Sequence, residues 1–394
     1  MAIRGAFRRS LVKAAFLVIL AASLLAGLVR AACLSGWLRP VRIAGGSMAE
    51  TLLGDHWRIR CPICGFQHQC DVEQLPRDHR VECPNCGSAH HWDVTAAQVV
   101  GQRVLVDRWP SIRGDWRQRR GAVVAVRRDD APSGFAVKRL IGLPGETISI
   151  RHGDVWLGPD TLYRKSWDEL MAVAVPVHDD RFRASSNAER IAGWRPNAAD
   201  SAWNSLPHGY RWDASGRRSS GIDWLAFRPA AGGGAIRDFD AYNQALSRRM
   251  EAVDDLLVCL DVVLDDLATL VLVLRPARSP GVRFEFSRSD GCRISVLDGE
   301  TPRLVKRESL PVVHGPGLRR RIGVAHCDRQ ALVAIHNREL ARVDLSTESS
   351  ALAKDSRIVD PTAAAAIGAS GGRVEISAVW LARDIHYLPA SAPN

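Results

Sequence analysis

Leu256-Leu257-Val258-Cys259-Leu260 and, past a short acidic stretch, Leu270-Val271-Leu272-Val273-Leu274 are the segments whose reading decides the fold. Both are short, unbroken apolar runs bounded by turn residues, the signature of strands with neighbours on each face. Downstream the pattern repeats in Arg283-Phe284-Glu285-Phe286, Arg293-Ile294-Ser295-Val296, Ala331-Leu332-Val333-Ala334-Ile335 and Arg373-Val374-Glu375-Ile376-Ser377. Regular short strands with almost no helical period predict an antiparallel β-sandwich of jelly-roll or lectin-like type over residues 236–390.

Upstream of the sandwich, residues 183–235 lose this periodicity. Trp194, Trp203, Trp212 and Trp224 stand among Ser, Asn, Pro and Gly, and the stretch runs out at Gly232-Gly233-Gly234. The Trp spacing predicts a linker that lies over a surface with its indoles as anchors. Earlier still, Val104-Leu105-Val106, Ala122-Val123-Val124-Ala125-Val126 and Ala136-Val137-Lys138-Arg139-Leu140-Ile141 read as strands, and Gly153-Asp154 as a hairpin turn before Val155-Trp156-Leu157. The whole chain therefore reads as mainly β. Its 394 residues suffice for two or three domains, and 46% hydrophobic with 24% charged residues describes a folded protein. The net charge of +10 is spread along the chain, with short clusters such as Arg117-Gln118-Arg119-Arg120 and Arg319-Arg320-Arg321 that read as solvated faces. Nucleic acid is disfavoured as a partner.

The N-terminus has the composition of a membrane segment. Arg4, Arg8, Arg9 and Lys13 form a basic flank over residues 1–13, and residues 14–38 follow as an apolar run interrupted at Arg30. The uncharged part, Ala14 to Val29, is shorter than the ~20 residues of a full span, and Arg30 can snorkel to the headgroups to extend it. The basic flank places the N-terminus on the cytoplasmic side and the rest of the chain outside, in a single-pass inner-membrane topology. A cleaved signal peptide ending near Cys33 is the competing reading, against which the length of the run and the position of Arg30 argue.

Nine cysteines occur, four of them in the matched loops Cys61-Pro62-Ile63-Cys64-Gly65 and Cys83-Pro84-Asn85-Cys86-Gly87. A Cys-x-x-Cys turn supplies two thiolates to one ion, and the following Gly lets the backbone curl around the sulfurs. The 18 residues between the loops lie in the range of such sites. Cys61, Cys64, Cys83 and Cys86 are thus the expected ligands of a structural Zn2+ in a ribbon spanning residues 58–92, rubredoxin-like in pattern. Four sulfurs leave no open position, so no catalytic metal is expected. Cys70, His68, His90 and His91 lie nearby in sequence as surplus groups, and Cys33, Cys259, Cys292 and Cys327 are isolated.

Two further segments carry chemistry. In Ile43-Ala44-Gly45-Gly46-Ser47-Met48-Ala49-Glu50-Thr51-Leu52 a lone Ser sits among glycines just past the apolar run. In Val137-Lys138-Arg139-Leu140-Ile141-Gly142-Leu143-Pro144-Gly145-Glu146 a Lys interrupts an apolar strand, which predicts its burial and a shift toward the neutral amine. A neutral Lys can act as general base for a serine hydroxyl. Together the segments resemble the serine and lysine boxes of type I signal peptidases, membrane-anchored Ser/Lys proteases, with the zinc ribbon inserted between them. The resemblance covers roughly residues 10–165. It implies Ser47 as nucleophile, Lys138 as general base, the Ser47 N–H in an oxyanion hole, and Gly46, Met48 and Arg139 shaping the site within a catalytic region over residues 39–182.

Three features depart from that family. Glu50 replaces a usual Pro, and Gly45 replaces the Ser that many members use in the oxyanion hole. The later Gly-Asp-Asn-rich box ending in Asp-Ser-Arg, which buttresses the lysine, has only a faint echo in Val177-His178-Asp179-Asp180-Arg181. Two functions follow. One is a membrane-bound serine endopeptidase cleaving signal peptides from exported preproteins. The other is a catalytically degenerate envelope protein that binds a glycan or envelope protein through its sandwich.

Overall fold

The computed structural model describes residues 2–34, 38–76, 78–92, 97–108, 120–128, 134–184, 191–213, 221–230, 235–245, 249–297, 302–310, 319–346 and 363–388, with side chains in the first segment from 13 to 31. Arg117-Gln118-Arg119, Gly232-Gly233-Gly234 and the side chains of Arg4, Arg8, Arg9 and Cys33 lie outside them. Helix α1 (Ala2–Leu34) opens the chain, and its stretch Lys13–Ala31 is long and apolar enough to cross a membrane. Strands β1 (Leu38–Arg42), β2 (His56–Arg60), β3 (Gln67–Asp71), β4 (Arg80–Glu82), β5 (Ala89–His91), β6 (Gln98–Val99), β7 (Arg103–Asp107), β8 (Val123–Arg127) and β9 (Phe135–Arg139) follow. The chain divides into two compact units.

The first unit comprises residues 1–48, 52–55 and 100–145. In it β1 pairs with β7 and β8 with β9, both antiparallel. The ends of β1 and β7 are tightly joined: Ile43 N donates to Gln102 O at 2.9 Å and Gly101 N to Asp55 Oδ1 at 2.7 Å. A Cβ at Gly54 would lie 2.4 Å from Ala44 O, and one at Gly101 1.9 Å from Ile43 O, so both positions demand glycine. These contacts fix the loop that carries Ser47.

The second unit holds the cysteine loops and everything from Glu146 onward. After the small sheet of β10 (Ile148–Arg151), β11 (Asp154–Leu157) and β12 (Thr161–Leu162) comes helix α2 (Trp167–Val173), closed at its N-terminus by a Ser166–Glu169 capping box. The remaining strands are β13 (Val175–Asp179), β14 (Gly193–Pro196), β15 (Trp203–Leu206), β16 (Gly209–Trp212), β17 (Asp223–Arg228), β18 (Leu256–Leu264), β19 (Thr269–Leu274), β20 (Gly281–Ser287), β21 (Gly291–Leu297), β22 (Arg303–Glu308), β23 (Arg320–Cys327), β24 (Gln330–Ile335), β25 (Arg338–Asp344), β26 (Ala365–Ser370) and β27 (Val374–Arg383). They build two antiparallel sheets, ordered β15-β16-β27-β18-β23-β24-β25, with β13 also on β27, and β14-β17-β26-β19-β20-β21-β22.

The deciding runs are central strands of these sheets. Leu256, Val258, Leu260 and Val262 of β18 face Leu270, Leu272 and Leu274 of β19 in one core, as strand alternation requires. The opposite face of β18, Leu257 and Cys259, is covered by Trp167 and Leu170 of α2. Val271 and Val273 of β19 pack outward against Trp224 and Ala226. Burial on both faces is why these runs are continuously apolar rather than alternating.

The expectation of a linker over residues 183–235 is corrected here. That stretch supplies β14 through β17, two strands to each sheet. Trp194, Trp203 and Trp212 belong to the main core and Trp224 to an outer one. The periodicity is invisible in sequence because each strand has only four to six residues, so turn residues dominate the composition. The span 146–182, expected with the catalytic region, likewise falls in the second unit, and β13 hydrogen-bonds to β27.

Candidate functional site

Ser47 lies in the turn after β1, and Lys138 sits in β9 opposite Val124 of β8. Lys138 Nζ donates to Ser47 Oγ at 2.7 Å. Ser47 Oγ is its only hydrogen-bond partner among the described residues. Met48 beneath the serine is buried, Leu52 N closes a turn onto Met48 O at 2.8 Å, and Arg139 Nη1 donates to Gly121 O at 2.7 Å beside the lysine strand. Arg39 of β1 stacks over the Phe135 ring of β9 at 4.5 Å, a second tie between the strand leading to the serine and the strand bearing the lysine.

Burial of Lys138 is a second corrected expectation: Lys138 and Ser47 are both exposed. The ribbon β8–β9 has two strands, so an apolar run there is not covered on both faces. The Lys138 face of the ribbon also carries Val124, Val126 and Ala136, of which Val126 is 46% exposed.

The cysteine loops fold as two equivalent turns. Gly65 N donates to Cys61 O at 2.9 Å and Gly87 N to Cys83 O at 2.8 Å, while Cys61 N and Cys83 N each donate at 2.9 Å to Phe66 O and Ser88 O. Both glycines take the left-handed φ that the turn needs, +73° and +70°. The four sulfurs lie within 4.8 Å of one another, buried and unbridged by disulfides, with Cys61–Cys86 and Cys64–Cys83 Sγ separations of 3.7 Å. A tetrahedron with ~2.3 Å metal–sulfur bonds has edges of about 3.8 Å, so the set fits a tetrahedral ion. Within this shared cluster the neighbouring Cys64 and Cys86 sulfurs push the Cys83 thiol up, while hydrogen bonds from Cys64 and Cys83 push the Cys86 thiol down. Cys70 stands apart, donating to Ala241 O at 3.4 Å, with its thiol pushed up to about 12 by burial. Buried His68 is held neutral, at about 4.

The pair of cysteine turns, the knuckle, is tied to a polar region that the sequence did not single out as a site. Asn85, between the second pair of cysteines, accepts from Asp179 N on Oδ1 at 2.6 Å and offers its backbone oxygen to His178 Nδ1 at 2.9 Å. Ala192 N donates to Cys86 O at 3.0 Å. Next to them lies a cavity of about 490 Å³, lined among others by His178, Asp180, Arg183, Trp194, Arg195 and Tyr210. Asp180 accepts from Tyr210 Oη at 3.0 Å, and Arg183 lies over the Tyr210 ring at 4.1 Å. Three buried lining atoms have no hydrogen-bond partner, His178 Nε2, Arg183 Nε and Trp194 Nε1, with His178 Nε2 3.8 Å from Asp180 Oδ1. The signal was the polar run Val177-His178-Asp179-Asp180-Arg181, unusual at a strand end, which sequence alone linked only to the lysine buttress. The structure places it in the second unit, where Arg181 Nε pairs with Asp179 Oδ1 at 2.9 Å.

No curated protein matches this chain. Among solved structures, it is similar to a carbohydrate-binding module from Bacillus subtilis, at 8% identity over 49% of this chain and 92% of that one, with a TM-score of 0.27. It is also similar to a putative glycosyl hydrolase from Parabacteroides distasonis, at 9% identity over 49% and 88%, with a TM-score of 0.30. A galectin from Caenorhabditis elegans matches at 9% identity over 33% and 83%, with a TM-score of 0.25. Scores this low carry no inference about ligands. The family of signal peptidases, peptidase S26, matches residues 9–169, from within α1 through both the serine and lysine segments. That part of the chain is a signal peptidase S26-like region.

Proposed function

We propose that the chain is a membrane-bound serine endopeptidase of signal peptidase I type, cleaving signal peptides from exported preproteins by a Ser47–Lys138 dyad. The observation that carries this reading is the 2.7 Å contact between Lys138 Nζ and Ser47 Oγ within the family-matched region. At that separation a neutral Lys138 takes the hydroxyl proton as Ser47 Oγ bonds to the scissile carbonyl carbon. The carbonyl electron pair moves to oxygen, where the Ser47 N–H would stabilise it, with Gly46, Met48 and Arg139 shaping the surroundings. The C–N bond then breaks, Lys138 returns the proton to the amine, and water activated by the same lysine hydrolyses the acyl ester. A substrate lying along Val124, Val126 and Ala136 would cover exposed Lys138 and exclude water from the dyad. By resemblance, small residues before the scissile bond are preferred.

Helix α1 serves as a single-pass inner-membrane anchor with its N-terminus in the cytoplasm, and the bulk of the chain lies on the outer side. Cys61, Cys64, Cys83 and Cys86 hold a structural Zn2+, which cross-links two turns and neutralises their thiolates without entering the reaction. Cleavage of a preprotein reporter in detergent tests the dyad. Ser47→Ala and Lys138→Ala should each lower the rate by about a thousandfold or more. Equal rates in all three proteins would sink the proposal.

A second reading is favoured by the cavity beside the knuckle. Its Arg183 Nε and Trp194 Nε1, which have no hydrogen-bond partner, suit a polar ligand rich in hydroxyl or carboxylate oxygens, and a glycan has that chemistry. In this reading the sandwich binds and the peptidase-like part serves as a membrane scaffold. Glycan binding that is lost in Arg183→Ala, together with a reporter left intact by the wild type, would favour it over the protease.

A further inference from the structure

The cavity beside the knuckle is more selective than a general need for oxygen atoms. Its wall holds two guanidinium groups, Arg183 and Arg195, against one carboxylate, Asp180. That carboxylate is already committed inside the protein: Oδ2 accepts from Arg183 Nη2 and Oδ1 from the Tyr210 hydroxyl. Arg195 Nη2 donates to Ile191 O at 2.9 Å, which holds its guanidinium at the wall. The lining thus carries one positive charge more than it carries negative.

The groups left over are donors. Arg183 spends Nη1 on Ser205 Oγ at 2.6 Å and Leu206 O at 2.9 Å, and Nη2 on Asp180 and on Gly209 O at 2.8 Å. These four bonds account for its Nη protons and leave the buried Nε–H without an acceptor. Trp194 is 5% exposed, and its Nε1–H, which can only donate, has none either. Ser205 Oγ, having accepted from Arg183, keeps its own proton for a further acceptor. Buried donors beside an excess positive charge are complementary to an anionic oxygen ligand, because a charged acceptor makes the stronger bond. The rest of the wall includes apolar Ile191, Pro196 and Trp203, and the volume of about 490 Å³ is that of a small-molecule site.

We propose that the cavity binds a sugar ring bearing a carboxylate, a uronic acid unit of an acidic polysaccharide, with the carboxylate accepting from Arg183 Nε and Trp194 Nε1. The proposal rests on the glycan-binding reading above and names its ligand class. The hydroxyls of the ring would meet Ser205, and its C–H face the apolar wall.

The test is calorimetric titration of the full chain in detergent with trigalacturonate, its fully methyl-esterified form and citrate. The ester keeps the sugar rings and removes the charge, while citrate keeps carboxylates and removes the rings. Trigalacturonate should bind at one per chain, at least about tenfold more tightly than the ester. Its affinity should fall several-fold between about 0.05 and about 0.3 M NaCl. Trp194→Phe, which keeps a ring and drops the donor, and Arg195→Gln should each weaken it by about tenfold. Arg183 is left intact because it also anchors Leu206 O and Gly209 O. Where a variant does not fold, the wild-type comparison of acid, ester and citrate still decides. Equal affinity for acid and ester would overturn the proposal and leave the glycan reading standing. No binding of either at ~10 mM would end both. Citrate bound as tightly as trigalacturonate, or unchanged affinity in both variants, would likewise overturn it.

Discussion

Lys138 and Ser47 are 91 residues apart in sequence, and each alone is an ordinary residue, one in a strand and one in a Gly-rich turn. Their residue types and flanking patterns were legible because the boxes are local. Their exposure was not, since it depends on how many strands cover the ribbon. Gly45 offers a test at this scale. A Cβ there meets nothing within 4 Å, so Gly45→Ser should fold normally. If the dyad works, the added hydroxyl should raise kcat/KM on a preprotein reporter, by about tenfold where it reaches the oxyanion. An unchanged kcat/KM with unchanged Tm would show that the position does not face the developing charge.

At the scale of elements, the cysteine loops were fully readable. Every requirement of the turn, two thiols and a left-handed glycine, is written within five consecutive residues. What they support was not readable, because Asn85 reaches His178 and Asp179 across more than ninety residues. Gly87→Ala should be destabilising on two counts: φ is +70°, and the new Cβ would lie 2.0 Å from Ala230 Cβ. The expected result is a loss of bound metal and a Tm lower by several degrees, checked by metal analysis and thermal unfolding. Chelating the metal from the wild type should in turn perturb Trp194, whose strand adjoins Ala192 on Cys86, and so change tryptophan fluorescence. Unchanged fluorescence after complete metal loss would separate the knuckle from the cavity wall.

At the scale of the whole molecule, the two sandwich sheets take strands from chain positions as distant as Val175 and Arg383. Trp212 is 1% exposed in the shared core and donates from Nε1 to Asp223 Oδ2 at 3.1 Å. Trp212→Phe, which keeps an aromatic ring and drops the donor, should cost less than Trp212→Ala, for which about 3–5 kcal/mol is expected in denaturant unfolding. Near-zero loss in Trp212→Ala would return that segment to the status of a surface covering. The sequence by itself determined the mainly β class, the apolar N-terminal helix, the paired cysteine turns and the serine and lysine segments, all of which follow from patterns a few residues long. Only the tertiary structure decided that the tryptophan-bearing segment is core rather than linker, that Lys138 is open to water, and that Asp180, Arg183 and Trp194 line one cavity. Those outcomes depend on which strands become neighbours, and strand pairing is a long-range choice that no local pattern of side chains encodes.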